Sequence, residues 1–425
     1  MTRARKSGSE NPAPAAGPSK RTAIALLALI GVLFLLSVYA THLVFTSKFQ
    51  GANDFYSRWK GAQVYWQDGL DPYSEQATLA IQQGIYGRPA QPGEDPGPFA
   101  YPFYTVLLLY PLVWLPYDWV QAIWLVILEF ALVGGVLLCL SLARWRLSPV
   151  LFLLTGLWAV VFYHSARTVT LGQFAGLIFL WTAGTLYALQ QKHDIAAGVL
   201  LACTTIKPQM SFLLIPALLL WAVGQRRWRF LGAFAAAIAL LAGLSFVLLP
   251  SWLGQFIDQI AAYPSYTAIG SPVWIIAHSY LPQLGTPLEI GLSVLLLLWL
   301  LFEWRRLPGA ADDGIFLWLI GLTLIVTNLI ALRTATTNYV ILYIPLLYGL
   351  SIAARRWPKH AGAWLAVFYL VTAIGLWVLF LATVENRFEH PIVYLPLPIG
   401  LLIAFVWGSK ALQKGPGREW HTTSF

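Results

Sequence analysis

"AYPFYTVLLLYPLVWLPYDW", residues 100–119, is a run of apolar and aromatic residues as long as a bilayer crossing requires. Whether it crosses decides the fold, because every later segment changes side with it. The basic residues settle the choice. If the run does not cross, the clusters Arg144/Arg146, Lys192, Arg226/Arg227/Arg229, Arg305/Arg306, Arg355/Arg356/Lys359 and Lys410/Lys414/Arg418 share the side of the basic amino terminus. Nineteen of the 27 Lys and Arg then lie on one face. If it does cross, only Arg167, Lys207, Arg333 and Arg387 remain as inner cations downstream. Cytoplasmic loops carry the excess of Lys and Arg, so the first arrangement holds. Pro102, Pro111 and Pro116 also remove backbone donors, which suits a bent segment at the membrane surface better than a lipid-exposed span.

The surrounding sequence is that of a polytopic membrane protein. Of 425 residues 58% are hydrophobic and only 11% are charged, with mean hydropathy +0.66. Soluble domains carry about 25% charged residues. The net charge of +9 comes in small clusters between apolar runs, which excludes a nucleic-acid footprint. Cys139 and Cys203 sit inside apolar segments, against a disulfide framework or a zinc site.

Residues 1–21 read as a disordered basic cytoplasmic tail, and Ala23–Phe45 as an uncleaved signal anchor. Further apolar runs lie near 119–142, 148–166, 171–190, 228–249, 284–304, 314–332, 336–353, 360–384 and 391–408. Between 195 and 223 the pattern breaks at Lys207-Pro208-Gln209. Two short helices meeting at Lys207 satisfy both the proline and the cost of a cation in lipid. The expectation is all-α: about 12 transmembrane helices, a domain spanning 22–413, and a second cytoplasmic tail at 414–425. Large outer loops fall at about 47–118 and 250–283, the first carrying interfacial helices.

This topology puts Lys48, Arg58, Lys60, Arg88, Arg167, Lys207, Arg333 and Arg387 on the outer side, with Asp54, Asp68, Asp71, Glu75, Glu94, Asp95 and Asp118. Polar chemistry gathers on one face, which points to an active site there rather than to a midplane permeation site. In "NDFYSRWKGAQVYWQDGLDPY", residues 53–73, a helix over 52–67 aligns Asp54, Ser57, Arg58, Gly61 and Tyr65. Phe55, Trp59, Ala62 and Trp66 form an aromatic stripe suited to the bilayer surface. Asp54 is then a candidate general base; the alternative is a helix cap paired with Arg58. "DGLDPY" reads as a structural turn, with metal binding by Asp68 and Asp71 the weaker alternative.

Lys207 at the helix break is a phosphate-ligand candidate, or a Lys snorkelling from a helix end. Arg333 opens a polar patch, Arg333 to Tyr339, and its forked donors suit a phosphate; it is equally readable as a loop charge. Arg167 and Gln173 flank a turn and can serve sugar, phosphate or the turn itself. His278 can orient an acceptor or simply pack among aromatics. No histidine pair has metal-ligand spacing, and there is no P-loop, dinucleotide fingerprint or serine-nucleophile elbow.

The stretch 53–73, then "FAYPFYTVLLLYPLVWLP" (99–116), "TLGQFAGLIFL" (170–180), "TIKPQMSFLLIPALLLW" (205–221) and "LRTATTNYVILYIPLL" (332–347), resembles glycosyltransferase family 87 in order and spacing. Where relatives often carry Pro-Pro, this chain has Tyr101-Pro102-Phe103. The resemblance implies a GT-C-like bundle and a polyprenyl-phosphate-sugar-dependent hexosyltransferase, with mannose as the default sugar. It implies Asp54 as the base of an inverting transfer, with Lys207, Arg333 and Arg167 on the donor phosphate. Arg58, Tyr101, Gln173, Gln209, His278, Asn338 and Tyr339 are the expected sugar or acceptor contacts. No cofactor or divalent metal is implied; the partners are the lipid donor, a glycolipid or glycan acceptor, and membrane lipids. The expected setting is a prokaryotic plasma membrane, with both termini cytoplasmic and the active site outside. The competing class is a transporter or flippase of a lipid-linked sugar, which needs matching broken helices in two halves. Only one break, at 207, is visible.

Overall fold

The computed structural model describes residues 19–49, 51, 53–267, 270–385 and 389–415. Most of the two expected tails, and Arg387, lie outside the described residues. All regular elements among the described residues are helical. In chain order they are α1 (Lys20–Thr41), α2 (Asn53–Asp68), α3 (Glu75–Tyr86), α4 (Tyr104–Leu109), α5 (Tyr117–Leu142), α6 (Pro149–Val161), α7 (Tyr163–Thr170), α8 (Ala175–Gln190) and α9 (Asp194–Cys203). There follow α10 (Leu214–Gly224), α11 (Trp228–Leu248), α12 (Trp252–Tyr266), α13 (Pro272–Ile275), α14 (Gly285–Trp304), α15 (Asp313–Ile330), α16 (Tyr343–Arg356), α17 (Ala361–Thr383), α18 (Pro396–Trp407) and α19 (Ser409–Lys414).

Among the described residues, seven helical stretches are long and apolar enough to cross a membrane: Lys20–Thr46, Tyr117–Leu142, Trp228–Leu248, Gly285–Trp304, Asp313–Ile330, Thr336–Arg356 and Ala361–Thr383. The chain is a multi-pass membrane protein. The twelve expected crossings add to these the α6–α7 pair, bent by 49°, and four apolar helices of 10–17 residues. Those four are shorter than the roughly 20 residues of a full crossing.

Burial sorts the long helices into two classes. In α15 and the stretch Thr336–Arg356, 83% of the residues of an 18-residue stretch are buried and these form the centre, whereas in α1, α11 and α14 only 6% are. Leu27, Val247, Leu295 and Leu381 stand exposed on this perimeter. A perimeter of exposed leucine and valine is the surface that acyl chains solvate. Inside it, α5 packs on α8, α8 on α9, and α9 on α11.

Residues 100–119 do not form a long helix. α4 has six residues and gives way to a 3-10 turn at Tyr110–Leu112. Leu112 has Pro116 at its i+4 position, which offers no N–H, so its carbonyl keeps only a turn bond from the Leu115 N–H at 3.3 Å and has capacity for a second donor. α2 supplies it: Trp59 Nε1 donates to Leu112 O at 3.1 Å, Gln67 Nε2 to Val113 O at 2.7 Å, and Trp66 Nε1 to Val106 O at 3.1 Å. This corrects the expected role of the aromatic stripe. Phe55, Trp59 and Ala62 are buried in the protein, and Phe55 stacks on Trp124 of α5 with ring centroids 4.3 Å apart. Burying such a side chain contributes roughly 1.5–3 kcal/mol. The exposed apolar side chains at this level are Leu108, Tyr110, Trp114 and Leu115 instead.

"DGLDPY" is a turn: Gly69 has φ +68°, and Asp71 accepts from the Tyr73 N–H at 2.9 Å and from Gln255 Nε2 at 2.7 Å. Both oxygens of Asp71 are engaged in holding the loop to α12.

Gly198 lets the backbones of α9 and α11 touch. A Cβ there would lie 2.6 Å from the Phe234 nitrogen and 2.7 Å from the Phe230 carbonyl oxygen, whereas at Gly232 it would meet nothing within 4 Å. Gly198→Ala therefore forces two main chains apart, an overpacking cost of about 1–3 kcal/mol. Thermal unfolding of the purified protein is expected to show a lowered Tm for Gly198→Ala and an unchanged or raised one for Gly232→Ala.

Candidate functional site

Three turns, far apart in sequence, bring three polar side chains into a line. The first is the end of α7. Gly172 takes φ +66°, its N–H bonds to Val169 O at 2.9 Å, and the Gln173 N–H bonds to Thr168 O at 2.9 Å. This paired helix-end closure needs a left-handed residue, which glycine supplies without strain. Trp124 Nε1 fixes the turn by donating to Gly172 O at 2.8 Å. Gln173 is thereby held between α7 and α8, 9% exposed.

The second turn is the break after α9. Pro208 disfavours helical backbone at the residue before it, and Lys207 sits at φ −127°, ψ 76° between two 3-10 turns. Lys207 is 4% exposed. Its Nζ donates to Gln173 Oε1 at 2.5 Å. The third is the start of α2, where Asp54 stands in the first turn, the end of a helix that favours a carboxylate. Gln173 Nε2 donates to Asp54 Oδ2 at 2.5 Å. An ammonium only donates and a carboxylate only accepts, so the two neighbours fix which way the amide points.

Arg58 lies one turn along α2 from Asp54. It does not pair with Asp54 as the capping alternative supposed. Its Cζ stands 4.8 Å from the centre of the Tyr101 ring, a terminal nitrogen donates to Ser57 Oγ, and its Nε is buried without a partner. Tyr101 is itself anchored, its carbonyl accepting from the Tyr73 hydroxyl at 2.6 Å. Burial pushes the Tyr101 hydroxyl up to about 12, so it stays neutral. Burial is also the main cause that brings Lys207 down to about 7, helped by the Arg58 charge and opposed by Asp54. Two cationic side chains thus face one carboxylate, an arrangement with room for a further anion.

Other expected site residues have partners of their own. Arg167 pairs with Glu389 at 3.0 Å, and the same carboxylate accepts from the Tyr163 hydroxyl at 2.5 Å and Thr336 Oγ1 at 2.8 Å. An arginine already neutralised by a buried carboxylate has little charge to spare. Tyr339 is fully buried, its hydroxyl donating to Tyr394 O at 3.1 Å, and Asn338 donates to Thr334 Oγ1 at 2.8 Å. His278 bonds Glu289 Oε2 at 2.9 Å and stacks on Trp274. Arg333 stands 4.9 Å from the centre of the same Trp274 ring, with Nε and one terminal nitrogen buried and unpartnered. Gln209 is part-exposed in the turn after Lys207.

Two residues were missed. Tyr263 and Tyr266 of α12 pack ring to ring at 5.4 Å and lie close enough to Arg58 to feel its charge, and the Tyr266 hydroxyl is buried without a partner. Their three-residue spacing in the second outer loop was the available signal. Among the described residues, no three His, Cys, Asp or Glu side chains come together as metal ligands.

A family model, glycosyltransferase family 87, matches residues 99–331, more than half of the chain. No curated protein and no solved structure matches it.

Gln173→Leu removes both hydrogen bonds and leaves the Lys207 ammonium buried without an acceptor, a loss of about 1–3 kcal/mol. The folded-state pKa of Lys207 already lies below its unfolded value, so the unfolded chain binds the extra proton and stability rises with pH above about 7. Losing the Gln173 acceptor lowers that pKa further and extends the window downward. Thermal unfolding at pH 6 and pH 8.5 is expected to show a larger deficit for Gln173→Leu at pH 6.

Proposed function

The chain belongs to glycosyltransferase family 87, and we propose that it transfers a hexose, mannose, from a polyprenyl-phosphate sugar to a hydroxyl of a glycolipid or glycan. The family makes it a membrane glycosyltransferase. The observation that carries the finer reading is the Asp54–Gln173–Lys207 bridge, which joins a carboxylate to a buried cation through one amide.

In this reading Asp54 accepts the proton of the acceptor hydroxyl as its oxygen attacks the anomeric carbon. The bond from that carbon to the phosphate oxygen breaks on the opposite face, and its electron pair leaves with the lipid phosphate. The configuration inverts in a single displacement, so one carboxylate suffices. Lys207 and Arg333 take the charge that grows on the leaving phosphate, where fixed donors in a buried site are worth most. A bound phosphate also keeps Lys207 protonated. No divalent metal is required when these two cations do that work. Gln173 positions the base, while Arg58, Tyr101, Tyr263 and Tyr266 offer the acceptor a charged and aromatic surface. Arg167 is assigned to holding Glu389 rather than to the donor.

The same proposal takes up the twelve-segment, GT-C-like arrangement of a prokaryotic plasma-membrane protein, with both termini in the cytoplasm and the Asp54 site outside. The charge distribution supports it, because the clusters around Arg144, Arg227, Arg306 and Arg356 then share the cytoplasmic face.

Asp54→Asn keeps the shape and the hydrogen bond to Gln173 but removes the base. General-base loss costs about 10²–10⁴-fold in rate. With purified enzyme, polyprenyl-phosphate mannose and an acceptor panel, the variant is expected to bind donor like the parent and to lose at least a hundredfold in turnover. Near-normal transfer by Asp54→Asn refutes the assignment of the base.

A further inference from the structure

A cavity of about 1150 Å³ runs between α16, α17 and α18 at the end of the molecule opposite Asp54. The sidedness follows from α5. Its first residue, Tyr117, packs against Phe55 and Trp59 of α2, beside Asp54. Just past its last, the carbonyls of Ala143 and Arg144 accept from Arg355 at 2.6 and 2.8 Å. The 26 residues between rise ~39 Å, more than the thickness of a bilayer core. Arg355 lines the cavity, so its charged end is a membrane away from the Asp54 site.

The walls are apolar along the length of α18, whose 12 residues rise ~18 Å. That is close to the ~15 Å of one leaflet in a core of ~30 Å. Phe162 lines the far end, and four cations, Arg355, Arg356, Lys410 and Lys414, line the near end. Among the described residues none of the four is in an ion pair. Among the described residues, one terminal nitrogen of Arg355 is buried without a partner. Trp407, 85% exposed, stands on the rim at this level, as tryptophans do where a bilayer meets water.

We propose that this groove binds an anionic diacyl phospholipid, with an acyl chain along α18 and the phosphate among the four cations. The apolar length fits one leaflet's chain. The uncompensated charge selects an anionic headgroup over a zwitterionic one, whose own cation would be repelled. The chain's own residues 416–425, which continue from Gly415 at the cavity lining, are a poorer occupant, because Arg418 and Glu419 cancel. The site is separate from the Asp54 chemistry and stands or falls independently of it.

The test uses the full-length protein, purified and delipidated in detergent, titrated with dioleoylphosphatidylglycerol or dioleoylphosphatidylcholine. Binding is followed by native mass spectrometry and by Tm. Phosphatidylglycerol is expected to bind at least tenfold more tightly and to raise Tm more. Arg356→Gln/Lys410→Gln/Lys414→Gln, which spares the Arg355 hydrogen bonds, is expected to lose that preference. Gly400→Trp fills the groove where a Cβ would meet nothing within 4 Å, and is expected to lose lipid binding with every cation retained. Equal affinity for the two lipids, or an undiminished phosphatidylglycerol preference in either variant, overturns the proposal. So does binding that requires deletion of residues 416–425, since the chain's own tail would then be the occupant.

Discussion

A lysine ammonium with 4% of its surface exposed must have an acceptor, and in this protein that acceptor is one side-chain amide. Gln173 accepts a hydrogen bond from Lys207 on one side and donates one to Asp54 on the other. The three residues are 119 and 34 positions apart. Each stands where regular helix stops or starts: at a glycine-closed helix end, before a proline, and in a first helical turn. Helix interiors offer their backbone groups to each other, so side chains that must meet across helices are best delivered by the ends. The bridge therefore explains the three local irregularities together.

The bilayer imposes the complementary constraint. Backbone that leaves regular helix inside a membrane protein must find its hydrogen bonds within the protein. The broken segment after α3 obeys this through the indoles and amides of α2, and the turn after α7 through Trp124. Aromatic side chains with a polar atom suit the task, because they bury large area and still donate. The opening stretch of α2 is rich in Trp and Tyr because it roofs a break in the helical architecture. The lipid surface is left to other residues.

Much of this was legible in the sequence. Proline after Lys207 marks a break that no apolar pattern could hide, and the two short helices meet there. Three prolines in residues 100–119 denied a long helix, and Gly69 marked a turn. Asp54, Gln173 and Lys207 could each be named, because a carboxylate, an amide and a cation are conspicuous in a chain so poor in charge. Their mutual contact was not legible, since it depends on how α2, α7 and α9 pack. The partner of Arg167 and the burial of Phe55 were not legible for the same reason. Arg167 has its charge taken by Glu389, 222 residues away, and the stripe of α2 that suited a membrane surface suits a protein interior equally well. Periodicity reports an apolar face without reporting what covers it. Crossing number suffers likewise, because four apolar helices of 10–17 residues give no length signal of their own.

In the proposed reaction, the carboxylate of Asp54 and the ammonium of Lys207 serve one bound substrate from opposite ends of the Gln173 amide. This arrangement is tested most directly by a cryo-electron-microscopy structure of the protein with a non-transferable polyprenyl-phosphonate sugar. A phosphonate oxygen is expected within hydrogen-bonding distance of Lys207 Nζ, about 2.7–2.9 Å, with the anomeric carbon between it and the Asp54 carboxylate. A phosphonate bound away from Lys207, or an anomeric carbon that Asp54 cannot reach through one acceptor oxygen, would contradict it.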